Sequence, residues 1–316
     1  MSPIFSLLNE SDAGSYFMLS LRTNAVSLVA QNAITATQKS LSIAQTRLST
    51  GLRINSSQDD AAGLQIATRL KAQTSGIAVA MRNTQNSISI MQTADGALNE
   101  TTSILSRMKD LATQAADGSS SAADQTAIQA EYDSLTSELS NIIANTSFGG
   151  TKLLNTGTGK FTAAEADGNG GVTFQIGASA SETATISLGT QMTALDTALT
   201  AAATQYNGTT GAASTGGSEM TGGTAGSYIT SLSSAIDAVS TVRSALGAES
   251  NSLDHAYNNL ANISTNTTIA TGRLEDTDYA AESANAITGQ LQLQAGTAML
   301  KQSNSMSSLV ISLLQT

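Results

Sequence analysis

Apolar and small residues recur every seven positions along two long stretches of this chain. Steps of seven from Leu70 meet Ile77, Thr84, Met91, Leu98, Leu105 and Ala112, and Ala80, Ser87, Ala94, Thr101, Met108 and Ala115 form a companion row. Far downstream, Leu232, Val239, Leu246, Leu253, Leu260, Thr267 and Leu274 repeat the spacing, with Ala235, Val242, Glu249, Ala256, Ile263 and Ala270 beside them. Such spacing is the signature of a helix that buries one stripe against another helix. A helix over 70–112 would run roughly 60 Å at ~1.5 Å per residue, too long to hide its stripe by folding on itself. Two matched seams therefore predict a mainly α protein: an elongated antiparallel helical bundle or coiled coil built from both chain halves.

Shorter patterns fill in the rest. A weaker helix is expected over Leu21–Leu48, with Ile34, Leu41 and Leu48 at heptad spacing and Gly51 as its end. Arg53–Gln58 reads as a polar connection, with Ser56 or Ser57 capping the next helix and Asp59 and Asp60 in its first turn, where acids favour the helix dipole. The main seam stops near Asp117–Gly118, and Ser119–Ser121 with Asp124 restart a third helix carrying Ile128, Tyr132, Leu135, Leu139 and Ile142 on one face. Between Gly157 and Gly189 the period falls to two, at Val172, Phe174 and Ile176 and again at Ala184, Ile186 and Leu188, which predicts a small β-hairpin. Gln191–Ser227 is rich in Ala, Thr and Gly and is expected to remain a small surface insertion, unable to bury enough area to offset its ordering entropy. The last helix starts near Asp276 or Thr277 and carries Ile287, Leu291, Met299, Met306, Leu309 and Leu313. Both terminal helices have thin stripes and are marginal alone, so they are expected to order fully when other copies pack on them.

Composition narrows the function classes. Aromatics make up 3% of the chain and tryptophan is absent, which suits thin helical seams over a large globular core. A net charge of −10 disfavours nucleic acid as a partner. With no cysteine and one histidine, His255, neither a thiolate site nor a two-histidine metal site is available. Asp59–Asp60 and Asp276/Asp278 are explained by capping, and no nucleophile elbow or Walker loop occurs. No catalytic residue, cofactor or metal is expected, and no run reaches the ~18 apolar residues of a membrane span. Met1–Phe17 fits none of the pattern and reads as an extension, with Met18 as a candidate initiator. It lacks a cleavable secretory pattern, so export is expected to follow a route that reads no such signal.

The segment Arg47-Leu-Ser-Thr-Gly-Leu-Arg-Ile-Asn-Ser-Ser-Gln-Asp-Asp-Ala-Ala-Gly-Leu-Gln-Ile-Ala67 closely resembles the N-terminal signature of bacterial flagellin. The likeness extends through Ser20–Gln31, Arg82–Leu98, Leu105–Gln114, Ala127–Glu131 and Thr146–Leu154, and resumes at Arg243–Asn251, Gly272–Glu282 and Gln294–Gln315. These motifs stand in the family's order. The resemblance implies an extracellular filament subunit whose terminal helices form a separate coiled-coil layer after export through the flagellum's own channel. Its implied divisions are an extension at 1–17, an inner-core helix and spoke at 18–60, and half of the helical core with the hairpin at 61–190. A variable insertion at 191–227, the second core half at 228–274 and the C-terminal inner helix at 275–316 complete the chain.

By the same resemblance, Ile34, Leu41, Leu48, Ile287, Leu291, Met299, Met306, Leu309 and Leu313 are polymerisation residues that bury their stripes when copies stack. The implied partners are further copies of the chain, the export apparatus and its chaperone, the filament cap, and hook-associated junction proteins. Host flagellin receptors follow as well. Thr46–Ala67 looks like the peptide detected by the plant receptor kinase, with departures at Thr46, Leu52, Ser57 and Gln58. Arg107, Leu111 and Glu131 match positions through which related flagellins bind the vertebrate Toll-like receptor, Arg107 and Leu111 being one helical turn apart on an expected common face. A hook–filament junction protein is the alternative within this architecture, and an adhesin carried on the filament is the alternative outside it. Asp-Asp-Ala-Ala-Gly-Leu at Asp59–Leu64 favours the filament subunit.

Overall fold

A computed structural model describes residues 24–162, 171–213 and 216–314, with side chains through 306. The expected extension at 1–17 lies outside the described residues. In chain order the elements are α1 (Ala25–Thr50), α2 (Ala61–Ala115), α3 (Ala122–Asn145), β1 (Ser147–Phe148), β2 (Thr151–Lys152), β3 (Gly171–Gln175), β4 (Thr183–Ser187), α4 (Gly189–Ala202), α5 (Ala225–Glu275) and α6 (Tyr279–Leu314). They group into two compact units, Thr68–Ala270 and the remainder from both chain ends.

The larger unit is organised by the two heptad seams. α2 and α5 run antiparallel in it, with Ile77 clustered with Leu260 and Asp95 bonded to Arg243. From Ile77 to Ala115, every seam and companion position of α2 is buried, none above 2% exposed. Polar members of the seam satisfy themselves within their own helix: the hydroxyls of Thr84, Ser87 and Thr101 donate to the carbonyls of Ala80, Asn83 and Ala97 at 2.8–2.9 Å. On α5 the row Leu232, Val239, Leu246, Leu253 and Leu260 is buried, while Glu249 and Ala256 in the companion row are half-buried and Ala270 is exposed.

α3 begins with a reciprocal capping box, Ser121 with Asp124, and lays Ile128, Tyr132 and Leu139 into the main core. The predicted hairpin is present as β3 paired antiparallel with β4, with Val172 opposite Ile186. A second, two-residue-per-strand hairpin, β1–β2, went unanticipated. It turns on Gly149 (φ 58°) and Gly150 (φ 83°), consecutive left-handed residues that suit the tightest hairpin loops. Leu153 and Leu154 then fold into the core.

Three expectations need correction. First, 191–227 does not stay at the surface: Leu195, Leu199, Ala202, Ala203, Met220 and Ala225 all belong to the main core. Its small residues permit close approach, and its loops are held by buried side-chain acceptors in place of apolar bulk. The Glu219 carboxylate accepts the Thr204 N–H at 3.0 Å and the Gln129 Nε2–H at 2.8 Å, while Gln129 Oε1 accepts the Met220 N–H at 2.7 Å. Asn155 ties the same region down, donating to the Thr209 carbonyl at 2.8 Å. Second, the cap of α2 is neither serine: Asp60 Oδ1 takes the Gly63 N–H at 2.8 Å, and Asp59 instead gathers the N–H groups of Asn55 and Ser56. Third, α5 runs through Gly272 to Glu275, and Asp278 caps α6 by accepting from Ala280 and Ala281 at 2.9 and 3.1 Å.

Candidate functional site

The unit formed by the chain ends is built on one helix pair. α1 and α6 run antiparallel, with Asn24 donating to Ser303 at 3.2 Å near one end and Arg47 lying 3.7 Å from Glu282 near the other. Between these ends two glycines of α6 let the helices approach closely, beside the half-buried Leu293 and Leu300. A Cβ on Gly296 would lie 2.9 Å from Ile34 Cγ1, and one on Gly289 would lie 3.7 Å from Leu41 Cβ. Glycines on the inner face of α6 therefore admit the bulkier residues of α1.

The outer face of α6 is different. Ile287, Leu291, Met299 and Met306 are 58–65% exposed, and Val26, Leu28 and Val29 of α1 are exposed as well. Residues of this size and number in the open mark an interaction surface. The polymerisation residues named from the sequence are thus divided. Ile34, Leu41 and Leu48 are already half-buried in the single chain, whereas the four residues of α6 are open. The side chains of Leu309 and Leu313 lie outside the described residues.

Where α1 ends and α6 begins, the two connections are clasped together. Gly51 ends α1 in the left-handed region (φ 75°) and sends its N–H to the Arg47 carbonyl at 2.8 Å. Its own carbonyl accepts the Thr277 N–H at 3.0 Å, Leu52 bridges Asp276, and Arg53 N–H donates to the Glu275 carbonyl at 2.5 Å. The Arg53 guanidinium adds a bond to the Leu274 carbonyl at 2.8 Å. The bonds from Asn55 and Ser56 hold the Asp59 carboxyl below the usual range.

In the larger unit, Arg107 and Glu131 are brought together across α2 and α3, with guanidinium and carboxylate 2.6 Å apart and both side chains exposed. Leu111 does not share their face. It is 2% exposed and part of the main core, because four residues of helix rotate it past the edge of the buried stripe. His255 is exposed. Among the described residues no group of three or more His, Cys, Asp or Glu is placed to hold a metal ion, and no helix is long and apolar enough to cross a membrane.

Long helices at both ends of the chain also match known family models. The model for the bacterial flagellin N-terminal helical region covers residues 21–158, and that for the C-terminal helical region covers 229–314. The chain belongs to the bacterial flagellins. It is 34% identical to polar flagellin F of Vibrio parahaemolyticus over 385 residues, covering 94% of this chain and 99% of that one. Flagellin B of Vibrio anguillarum is 34% identical over 389 residues, with 94% and 99% covered. A crystal structure of Bacillus cereus flagellin is similar over 57% of this chain and 88% of that chain, at 29% identity and a TM-score of 0.42. Flagellins are structural subunits of the extracellular flagellar filament, so the chain is a filament subunit, and the junction-protein and adhesin readings are not favoured.

Proposed function

We propose that the outer face of the α1–α6 pair is the surface through which copies of this flagellin polymerise. The observation that carries this reading is the α6 stripe of Ile287, Leu291, Met299 and Met306, more than half exposed in the single chain although it has the spacing of a helix seam. Ile34, Leu41 and Leu48 support the pair from within, and Leu309 and Leu313 extend the stripe by their spacing. Burying such side chains at ~25 cal/mol per Å² favours association, so each added copy stabilises the terminal helices of the last. The inner-core division at 18–60 with 275–316 is part of this proposal.

The finer partners follow from the same role: an export apparatus and chaperone that handle the end helices, and a cap and junction proteins that present matching stripes at the filament's ends. Host receptors are proposed to read Thr46–Ala67 in plants and the exposed Arg107–Glu131 pair in vertebrates, with Leu111 acting beneath it as a core support.

Purified chain, with and without short filament seeds, tests the reading by sedimentation and electron microscopy. Long filaments from the intact chain, and none from a chain lacking α1 and α6, are expected. An intact chain that stays monomeric with seeds would overturn it.

A further inference from the structure

Methionine is distributed unevenly between the two units. In the larger unit Met91, Met108, Met192 and Met220 are closed into the core, none above 2% exposed, and Met81 is half-buried. In the smaller unit the methionines of α6, Met299 and Met306, are 65% and 58% exposed. They stand seven residues apart on the stripe that carries Ile287 and Leu291. Met1 and Met18 lie outside the described residues. The chain has neither cysteine nor tryptophan, so no thiol or indole competes with a thioether for a two-electron oxidant. Which thioether reacts then depends on whether the oxidant can reach its sulfur.

We propose that Met299 and Met306 are an oxidation site that governs whether a subunit can join the filament. The reagent class is a peroxide, such as hydrogen peroxide. A sulfur lone pair attacks one peroxide oxygen, an S–O bond forms as the O–O bond breaks, and the second oxygen leaves as hydroxide. The proton of the transferred oxygen converts that hydroxide to water and leaves a sulfoxide. Sulfur loses two electrons and the peroxide gains them. The product places a strong polar acceptor at two positions of an apolar stripe. On burial the sulfoxide oxygen gives up water, and aliphatic side chains supply no N–H or O–H in exchange. Burial that favours the thioether therefore opposes the sulfoxide. The inference rests on the reading of this stripe as the polymerisation face and adds a direction to it. A subunit is open to oxidant before it joins and closed once its stripe is covered. Peroxide thus halts the addition of subunits and spares the filament already made, and reduction of the sulfoxides restores addition.

Peroxide treatment of the intact monomer, read by peptide mass spectrometry, is expected to add one oxygen each to Met299 and Met306 well before Met91, Met108, Met192 or Met220 changes. The critical concentration for assembly of the treated chain should rise roughly tenfold or more. Methionine sulfoxide reductases acting on both sulfoxide epimers should return it to the untreated value. A Met299→Leu, Met306→Leu chain is compared with its own untreated sample, and the same dose of peroxide should leave its critical concentration unmoved. In preformed filaments of the intact chain, both methionines should resist a dose that oxidises them in the monomer. Core methionines oxidised as fast as Met299 and Met306 would overturn the inference, as would a treated chain that assembles at the untreated concentration. An equal loss in the double variant would also overturn it, because the damage would then lie elsewhere. Equal oxidation in filaments and monomers would overturn the stripe as the polymerisation face, and the inference with it. An untreated chain that never polymerises would overturn the filament reading itself.

Discussion

The seams of the larger unit and the stripes of the terminal helices obey one spacing rule and meet opposite fates. On α2 the heptad positions from Ile77 to Ala112 are closed off by the core, whereas on α6 Ile287, Leu291, Met299 and Met306 stand in the open. The difference lies in what faces them. α2 meets α5 and, from Ile88 onward, gains α3, α4 and the loops between them, which together make the main core, while Ile77 and Ala80 pack with Leu260 in a smaller cluster. α6 packs on α1, on a face where Gly289 and Gly296 alternate with the half-buried Leu293 and Leu300, and Ile287, Leu291, Met299 and Met306 are left exposed. Heptad spacing predicts that a stripe will be buried. Whether its own chain or another copy buries it depends on how many helices the chain supplies.

The sharpest test of this contrast is a pair of truncations. Leu105→Ala, in the closed seam, is expected to destabilise the larger unit by about 2–5 kcal/mol in urea unfolding. Leu291→Ala, on the open stripe, should change monomer stability by less than ~0.5 kcal/mol and act instead on the critical concentration for assembly. Equal effects on the monomer would erase the distinction.

A smaller effect is expected where the larger unit depends on polar burial. Burial opposes ionisation of Glu219, but the bonds it accepts from Thr204 and Gln129 prevail and hold its carboxyl below the ordinary range. Glu219→Ala should cost about 1–3 kcal/mol by stranding those donors. Because the folded value is depressed, the contribution of this carboxylate is complete above the ordinary carboxylate pKa of about 4.3 and is lost as pH falls through the lower folded value. The acid limb of the stability curve should therefore flatten in Glu219→Gln.

In the smaller unit, Gly51→Ala forces a Cβ into the left-handed region and should lower the melting of the α1–α6 pair by about 1 kcal/mol, read by helicity at 222 nm. A small change in stability is also expected of Arg107→Ala. Its exposed ion pair with Glu131 should contribute under ~1 kcal/mol, yet the substitution is expected to reduce signalling in a flagellin-receptor reporter cell. Unchanged signalling would remove Arg107 from the recognition surface.

The helices were legible because periodicity and capping are local. Ser121 and Asp124 announce α3, and Gly51 announces the end of α1. The burial of 191–227 was only partly legible: Met192, Leu195 and Leu199 stand at helical spacing on the buried face of α4, but the loop after it is held by Glu219 and Asn155 reaching elements far away in sequence. Leu111 shows the same limit at the candidate site: a spacing of four places two residues near one another but does not say on which side of the buried edge each falls. The β1–β2 hairpin was missed because two residues per strand are too few to show a period, although Gly149 and Gly150 supply its turn. The spread of the polymerisation residues over an inner and an outer face of the α1–α6 pair depended on Gly289 and Gly296, whose lack of a side chain is easy to overlook in a pattern of large ones.

The clasp at Gly51, Leu52 and Arg53 with Glu275, Asp276 and Thr277 also has a mechanical meaning. A filament turned at its base must carry torque through every subunit, and a single flexible connection would act as a swivel. Here the two connections are stitched side by side by backbone bonds, so a pull or twist on one terminal helix is shared at once by the other. Load divided over parallel strands is borne by several hydrogen bonds together, which makes the junction stiff in torsion while each strand remains only a few residues long.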